Sequence, residues 1–66
     1  MTNVRYVVTV YGKFWNGMRG EYEYTQSAPP QNRKEVERLA GDFESVISFS
    51  VDEVTTEVTI RTLLEG

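Results

Sequence analysis

One apolar helical stripe, closed off on both sides by breakers, constrains this chain most. Val36, Leu39, Ala40 and Phe43 recur at i, i+3, i+4 and i+7, the spacing of a single helix face. Pro29 and Pro30 precede it and Gly41 follows Ala40. Proline ends whatever ladder runs into it, and glycine is a natural stop just past a helix. Asn32 followed by Glu35 forms a capping-box-like pair, with Ser27 ahead of the prolines as an alternative start. The expected helix covers about residues 31–41. It is short, there is one of it, and the segments on either side of it read as strands. A chain with that pattern must bury one helix face on one sheet face.

The flanking segments supply the sheet. Val4 to Tyr11 is dense in β-branched and aromatic residues. Val4, Tyr6, Val8 and Val10 fall on one face; Arg5, Val7, Thr9 and Tyr11 fall on the other. Asn16-Gly17 is a strong hairpin signal, and a second strand is expected from about Met18 to Thr25. A two-residue turn pairs Trp15 with Met18 and Tyr11 with Tyr22. That register puts Glu21 and Glu23 on the face of Val8 and Val10, a poor arrangement for a core. One extra residue restores the pattern, so a bulge is expected at Gly12 or Gly20. The alternative is a true loop over residues 12–20.

After the helix, Val46 to Val51 alternates, with Ile47, Phe49 and Val51 on one face. Asp52-Glu53 reads as a turn into a fourth strand from about Val54 to Leu63, pairing Ile47 with Val58 and Phe49 with Thr56. The fold expected is α+β: a single domain over residues 1–66, ordered ββαββ, with a four-stranded mixed sheet in the order 2-1-4-3 and one helix on one face. A right-handed crossover sets that order, with the first and fourth strands parallel at the centre. In topology alone this resembles the β-grasp arrangement of small immunoglobulin-binding bacterial domains. No motif carries the resemblance, so no function follows from it.

Length and composition narrow the function classes. A chain of 66 residues buries only about 60% of its unfolded surface and has no room for a deep site. There is no His and no Cys, so Ser-His and Cys-His nucleophilic systems are absent. A zinc or copper centre would also lack its preferred ligands. No enzyme, metal or cofactor is expected. Glu21 with Glu23, and Asp42 with Glu44, read as a solvated edge and a polar helix exit. Asp52, Glu53 and Glu57 lack EF-hand spacing. The N-terminus has no signal-peptide pattern, and no apolar run nears the roughly 20 residues of a membrane span. A cytoplasmic protein is the expectation.

The remaining chemistry sits in Gly12 to Gly20. This stretch holds the only Trp, a Phe, a Met, a Lys and an Arg, the residue types of binding hot spots. Residues 1–20 contain Arg5, Lys13 and Arg19 and no acid; all ten acids lie beyond them. Lys13, Phe14, Trp15, Met18 and Arg19 are the candidate partner-binding set, with Arg5, Tyr11 and Arg61 as a secondary surface on the open sheet face. The competing reading folds Phe14 or Trp15 back as a lid on the core. The set points to a small non-catalytic protein-binding module, of the size of phage- or mobile-element-encoded inhibitors of larger host proteins. The alternative is a single-stranded nucleic-acid binder, which needs stacking aromatics interleaved with cations. A homodimer through the open face is a further expectation.

Overall fold

The computed structural model describes residues 3–55 and 60–66. Strand β1 is Val4–Phe14, β2 is Arg19–Gln26, β3 is Phe43–Thr55 and β4 is Ile60–Glu65; the helix α1 is Arg33–Leu39. The element order ββαββ is as expected. The sheet order is not. It runs β2-β1-β3-β4, and each neighbouring pair is antiparallel. The expected 2-1-4-3 order, with β1 and β4 parallel and adjacent, is therefore corrected. The helical crossover still returns the chain parallel to β2, with β1 lying between β2 and β3. β3 occupies the centre because it is the long apolar strand: its 13 residues match all of β1, from Val4↔Thr55 to Phe14↔Phe43.

That length also removes the expected turn at Asp52-Glu53. Both residues pair within the sheet, with Thr62 and Arg61. The Thr62 hydroxyl donates to Asp52 at 2.8 Å, and Arg61 lies 3.7 Å from Glu53. Cross-strand partners of this kind hold polar residues in a strand. The observed partners Ser50↔Glu65 and Val54↔Ile60 replace the pairing of Ile47 with Val58 and Phe49 with Thr56. Positions 56–59 of that expectation lie outside the described residues.

The missing residue of the first hairpin is found in its turn. Phe14 N–H donates to the Met18 carbonyl at 2.8 Å and Gly17 N–H to the Phe14 carbonyl at 2.9 Å. Trp15, Asn16 and Gly17 thus form a three-residue loop, closed by Gly17 at φ 88°, the usual form of such a loop. Val8 then faces Tyr24 and Val10 faces Tyr22, unbroken to Lys13↔Arg19. The expected bulge within the β1/β2 ladder at Gly12 or Gly20 is corrected on this point. An irregularity does fall beside Gly12, on the other side of β1: the β1/β3 register shifts between Tyr11 and Gly12, passing over Ile47. Ile47 is left exposed and Val46 takes its place in the core with Phe49 and Val51, correcting the expectation that Ile47 shares a face with Phe49 and Val51.

The core comprises Val8, Val10, Val36, Ala40, Phe43, Val46, Phe49 and Val51, with Phe14, Tyr24, Leu39 and Leu64 packed against it. Four valines, Val8, Val10, Val36 and Val51, are fully buried, each contributing roughly 1.5–3 kcal/mol of burial. The helical stripe is as expected, with Val36 and Ala40 buried, Leu39 half-buried and Phe43 beginning β3. α1 is shorter than residues 31–41. Asn32 caps it, accepting from Glu35 N–H at 3.0 Å, and the Glu35 carboxylate accepts from Gln31 N–H. Its C-cap is Ala40, in a negative-φ conformation. Gly17 is the described glycine with positive φ, so Gly41 is not a left-handed stop.

Gly12 is buried at the bulge, where a Cβ would collide with the Ser45 carbonyl and lie 3.1 Å from the Phe43 ring. Gly12→Ala is expected to destabilise by about 1–3 kcal/mol, the usual cost of overpacking. Gly41 has open space around it, and Gly41→Ala should stay within about 0.5 kcal/mol of the parent. Urea denaturation of the two variants checks the pair; equal midpoints would remove the close approach at Gly12.

Candidate binding tip and its surroundings

The β1–β2 hairpin ends in a tip that is both exposed and fixed. Trp15 and Met18 are 68% and 67% exposed. The Trp15 indole N–H donates to the Gly41 carbonyl at 2.9 Å, tethering the hairpin to the turn after α1. Asn16 Oδ1 accepts from Met18 N–H at 3.0 Å, and the two turn bonds from Phe14 and Gly17 close the loop. The loop's conformation is therefore over-determined while its largest apolar surfaces face outward. The indole lends its polar edge to the scaffold and keeps its rings free, the dual character of Trp at surfaces.

The sequence candidates divide between these roles. Phe14 is half-buried and stacks on Phe43, with ring centroids 4.4 Å apart; it is the one that folds back onto the core, beneath the tip. Lys13 and Arg19 are register partners on the opposite sheet face from Phe14. Lys13 is paired with Glu44 at 3.4 Å. Arg19 is exposed and makes no ion pair among the described residues.

The secondary set is not brought together. Tyr11 and Arg5 lie on the open face, but β3 separates β1 from β4. Arg61 aligns with Glu53 and Tyr6, in register with the helix-side residues, whereas Arg5 aligns with Val54 and Ile60. The expected Arg5–Arg61 pair on one face is therefore corrected. Alternation in the sequence sets Thr59 on the same face as Arg61; Thr59 lies outside the described residues.

Sequence reasoning passed over Tyr22 and Tyr24. They stand on the helix side of β2, in an edge-to-face arrangement with centroids 4.9 Å apart. Tyr22 is 53% exposed. The parity conflict with Val8 and Val10 was the available signal: moving the extra residue into the turn puts both tyrosines on the core face. The Tyr24 hydroxyl donates to Asp42 at 3.2 Å. Burial pushes the Tyr24 phenol up from its ordinary value of 10.0 to about 12, and the hydrogen bond to Asp42 and the Asp42 charge act in the same direction.

The acids just after α1 also change the electrostatics. Glu44 and Asp42 stand beside the basic hairpin, so the acid-free run of residues 1–20 does not produce an acid-free surface. Among the described residues no cluster of three acids could hold a metal ion, and no helix is long and apolar enough to cross a membrane.

A raised phenol favours the neutral form in the fold. Its contribution to stability is fully present below about pH 10 and is lost as pH rises through about 12. Phenolate absorbance of wild type against Tyr24→Phe should show Tyr24 ionising at about pH 12. Asp42→Asn should lower its midpoint toward the ordinary range, and an unmoved midpoint would refute the Asp42 contribution. Comparison with known proteins finds no matching family model, no similar curated protein and no similar solved structure.

Proposed function

We propose that this chain is a small non-catalytic protein-binding module that docks through its hairpin tip. Trp15 and Met18 are the apolar anchors; Arg19 and Lys13 flank them. The observation that carries this reading is the pairing of two-thirds exposure at Trp15 and Met18 with a hydrogen-bonded, fixed loop. A pre-ordered aromatic anchor loses little side-chain entropy on binding, so more of its contact energy appears as affinity. Phe14 supports the tip from below. The lack of His and Cys leaves recognition as the work that these side chains do best. The finer reading is a cytoplasmic inhibitor or modulator of a larger host protein, encoded by a phage or mobile element. It rests on the small size and on the absence of those catalytic side chains.

Two further observations favour a protein partner over nucleic acid. Lys13 is partly neutralised by Glu44, and Phe14 is occupied by Phe43; that removes one cation and one stacking ring from the set that a single strand would use. The hollow on the open face around Thr9, Tyr11, Ser48 and Ser50 also carries Glu21 and Glu65, like charges that disfavour burying it against an identical surface.

Trp15 in the free protein is expected to emit like a water-exposed indole and to be readily quenched. Trp15→Ala should remain folded, losing about 0.5–1.5 kcal/mol with its one hydrogen bond. In a pull-down it should hold the partner that wild type recovers at least about tenfold more weakly, some 1.4 kcal/mol. Ile60→Ala, at the far end of the sheet, should bind as wild type does. Equal affinity of Trp15→Ala and wild type would overturn the assignment of the tip. Salt-dependent binding of a labelled oligonucleotide that needs Trp15 would replace the protein partner with a single strand.

A further inference from the structure

β2 is an edge strand with an unusual combination of regularity and exposure. Its ladder with β1 runs without a break from Tyr6↔Gln26 to Lys13↔Arg19. The opposite edge, β4, is kinked by a register shift between Val51 and Asp52. Antiparallel pairs alternate between those that exchange hydrogen bonds and those that do not. The Phe14 N–H bond to the Met18 carbonyl sets the phase: the N–H and C=O groups of Gly20, Tyr22 and Tyr24 turn toward β1, and those of Arg19, Glu21, Glu23 and Thr25 turn away from it. The outward groups form a template for another strand.

The two faces of this edge differ in chemistry. On the helix side stand Met18, Gly20, Tyr22 and Tyr24. The Phe14 ring lies over Gly20, within 2.6 Å of where a Cβ would be, so an apolar stripe continues from Met18 across Phe14 to Tyr22. On the open side stand Arg19, Glu21 and Glu23. Glu21 and Glu23 are exposed and form no ion pair among the described residues. A second copy is a poor occupant. Antiparallel self-pairing about the middle of β2 sets Glu21 against Glu23 or against itself, and like charges directly opposite are unfavourable.

We propose that β2 accepts an added strand from a protein partner, an extended segment with basic residues opposite Glu21 and Glu23, an acidic residue opposite Arg19, and apolar residues between them. Main-chain bonds supply the affinity and the alternate side chains the specificity, as in strand addition generally. Such a segment ends beside Met18 and Trp15, so the inference deepens the hairpin-tip reading and rests on it for the nature of the partner.

The test uses the whole chain, isotopically labelled, and the capped peptide Thr-Val-Lys-Val-Lys-Leu-Glu, written to lie antiparallel from Thr25 to Arg19. Its control is the charge-reversed peptide Thr-Val-Glu-Val-Glu-Leu-Lys. The expected result is slowed exchange of the Glu21 and Glu23 amides with the first peptide, and little change at Tyr22 and Tyr24. Thr25→Pro removes one outward N–H while keeping every charge and the β1 ladder; it should weaken binding about fivefold, the worth of one hydrogen bond. The double variant Glu21→Lys, Glu23→Lys, shown to be folded by its amide spectrum, should prefer the reversed peptide. Equal binding of the two peptides, perturbations centred on β4, or no perturbation at about 1 mM peptide, the weak limit of specific recognition, would overturn the inference. So would protection of the same amides by self-association without peptide. Trp15→Ala should leave peptide binding intact, because the peptide stops at Arg19. Loss of Trp15-dependent partner capture with peptide binding preserved sinks the tip reading alone; the reverse result sinks the edge alone.

Discussion

All 11 residues of β1 find partners in β3, from Val4↔Thr55 to Phe14↔Phe43, and this ladder positions every other element. It sets Val8 against Val51 and Val10 against Phe49, making the floor on which Val36 and Ala40 pack. It is corrected at two points, where the register passes over Ile47 and again over Glu44. The pleat would turn Val46 outward and Ile47 inward if the pairing continued without a shift. The bulge opposite Gly12 reverses the two, and a glycine permits it because the Ser45 carbonyl comes too close for any Cβ. The pairing, the bulge and the glycine form one unit. A change at any of them would alter which residues reach the helix.

The proportions of the molecule follow from the same ladder. Two long strands and a seven-residue helix make an object of 42 × 18 × 16 Å, far longer than it is thick. The helix covers only the part of the sheet nearest the hairpin tip. Beyond Val8 and Val51 no described residue of β1 or β3 is buried, and Val4 and Ile60 remain exposed. Stability is therefore concentrated at one end, next to the surface proposed for binding. That placement lets Phe43, through Phe14, and Gly41, through the Trp15 indole, hold the tip without covering it.

The tip and the β2 edge present two modes of recognition side by side. The tip offers shape: two apolar side chains on a closed loop. The edge offers direction and register: outward amides, a tyrosine stripe and a short charge pattern. Glu21 and Glu23 can act against pairing with copies of the chain and in favour of a basic strand, because the same carboxylates repel one and attract the other. Specificity built from a repulsive as well as an attractive element is a common solution in small interfaces.

The amino-acid sequence by itself determined the elements and their type. The stripe Val36, Leu39, Ala40 and Phe43, the Asn32–Glu35 cap and the valine-rich first strand are local signals; each is written in residues a few positions apart, so periodicity and capping chemistry expose them. The conflict between Val8/Val10 and Tyr22/Tyr24 was also legible, and it required one extra residue in the first hairpin. Its location was not, because turn, Gly12 and Gly20 all satisfy the parity equally well. Only the tertiary structure decided that β3 rather than β4 lies beside β1, since strand order depends on which long-range pairing buries more apolar surface. It also decided which aromatic at the tip is free. Phe14 and Trp15 are adjacent and chemically alike, and Phe43, some thirty positions away in the chain, takes the first into the core and leaves the second in solvent.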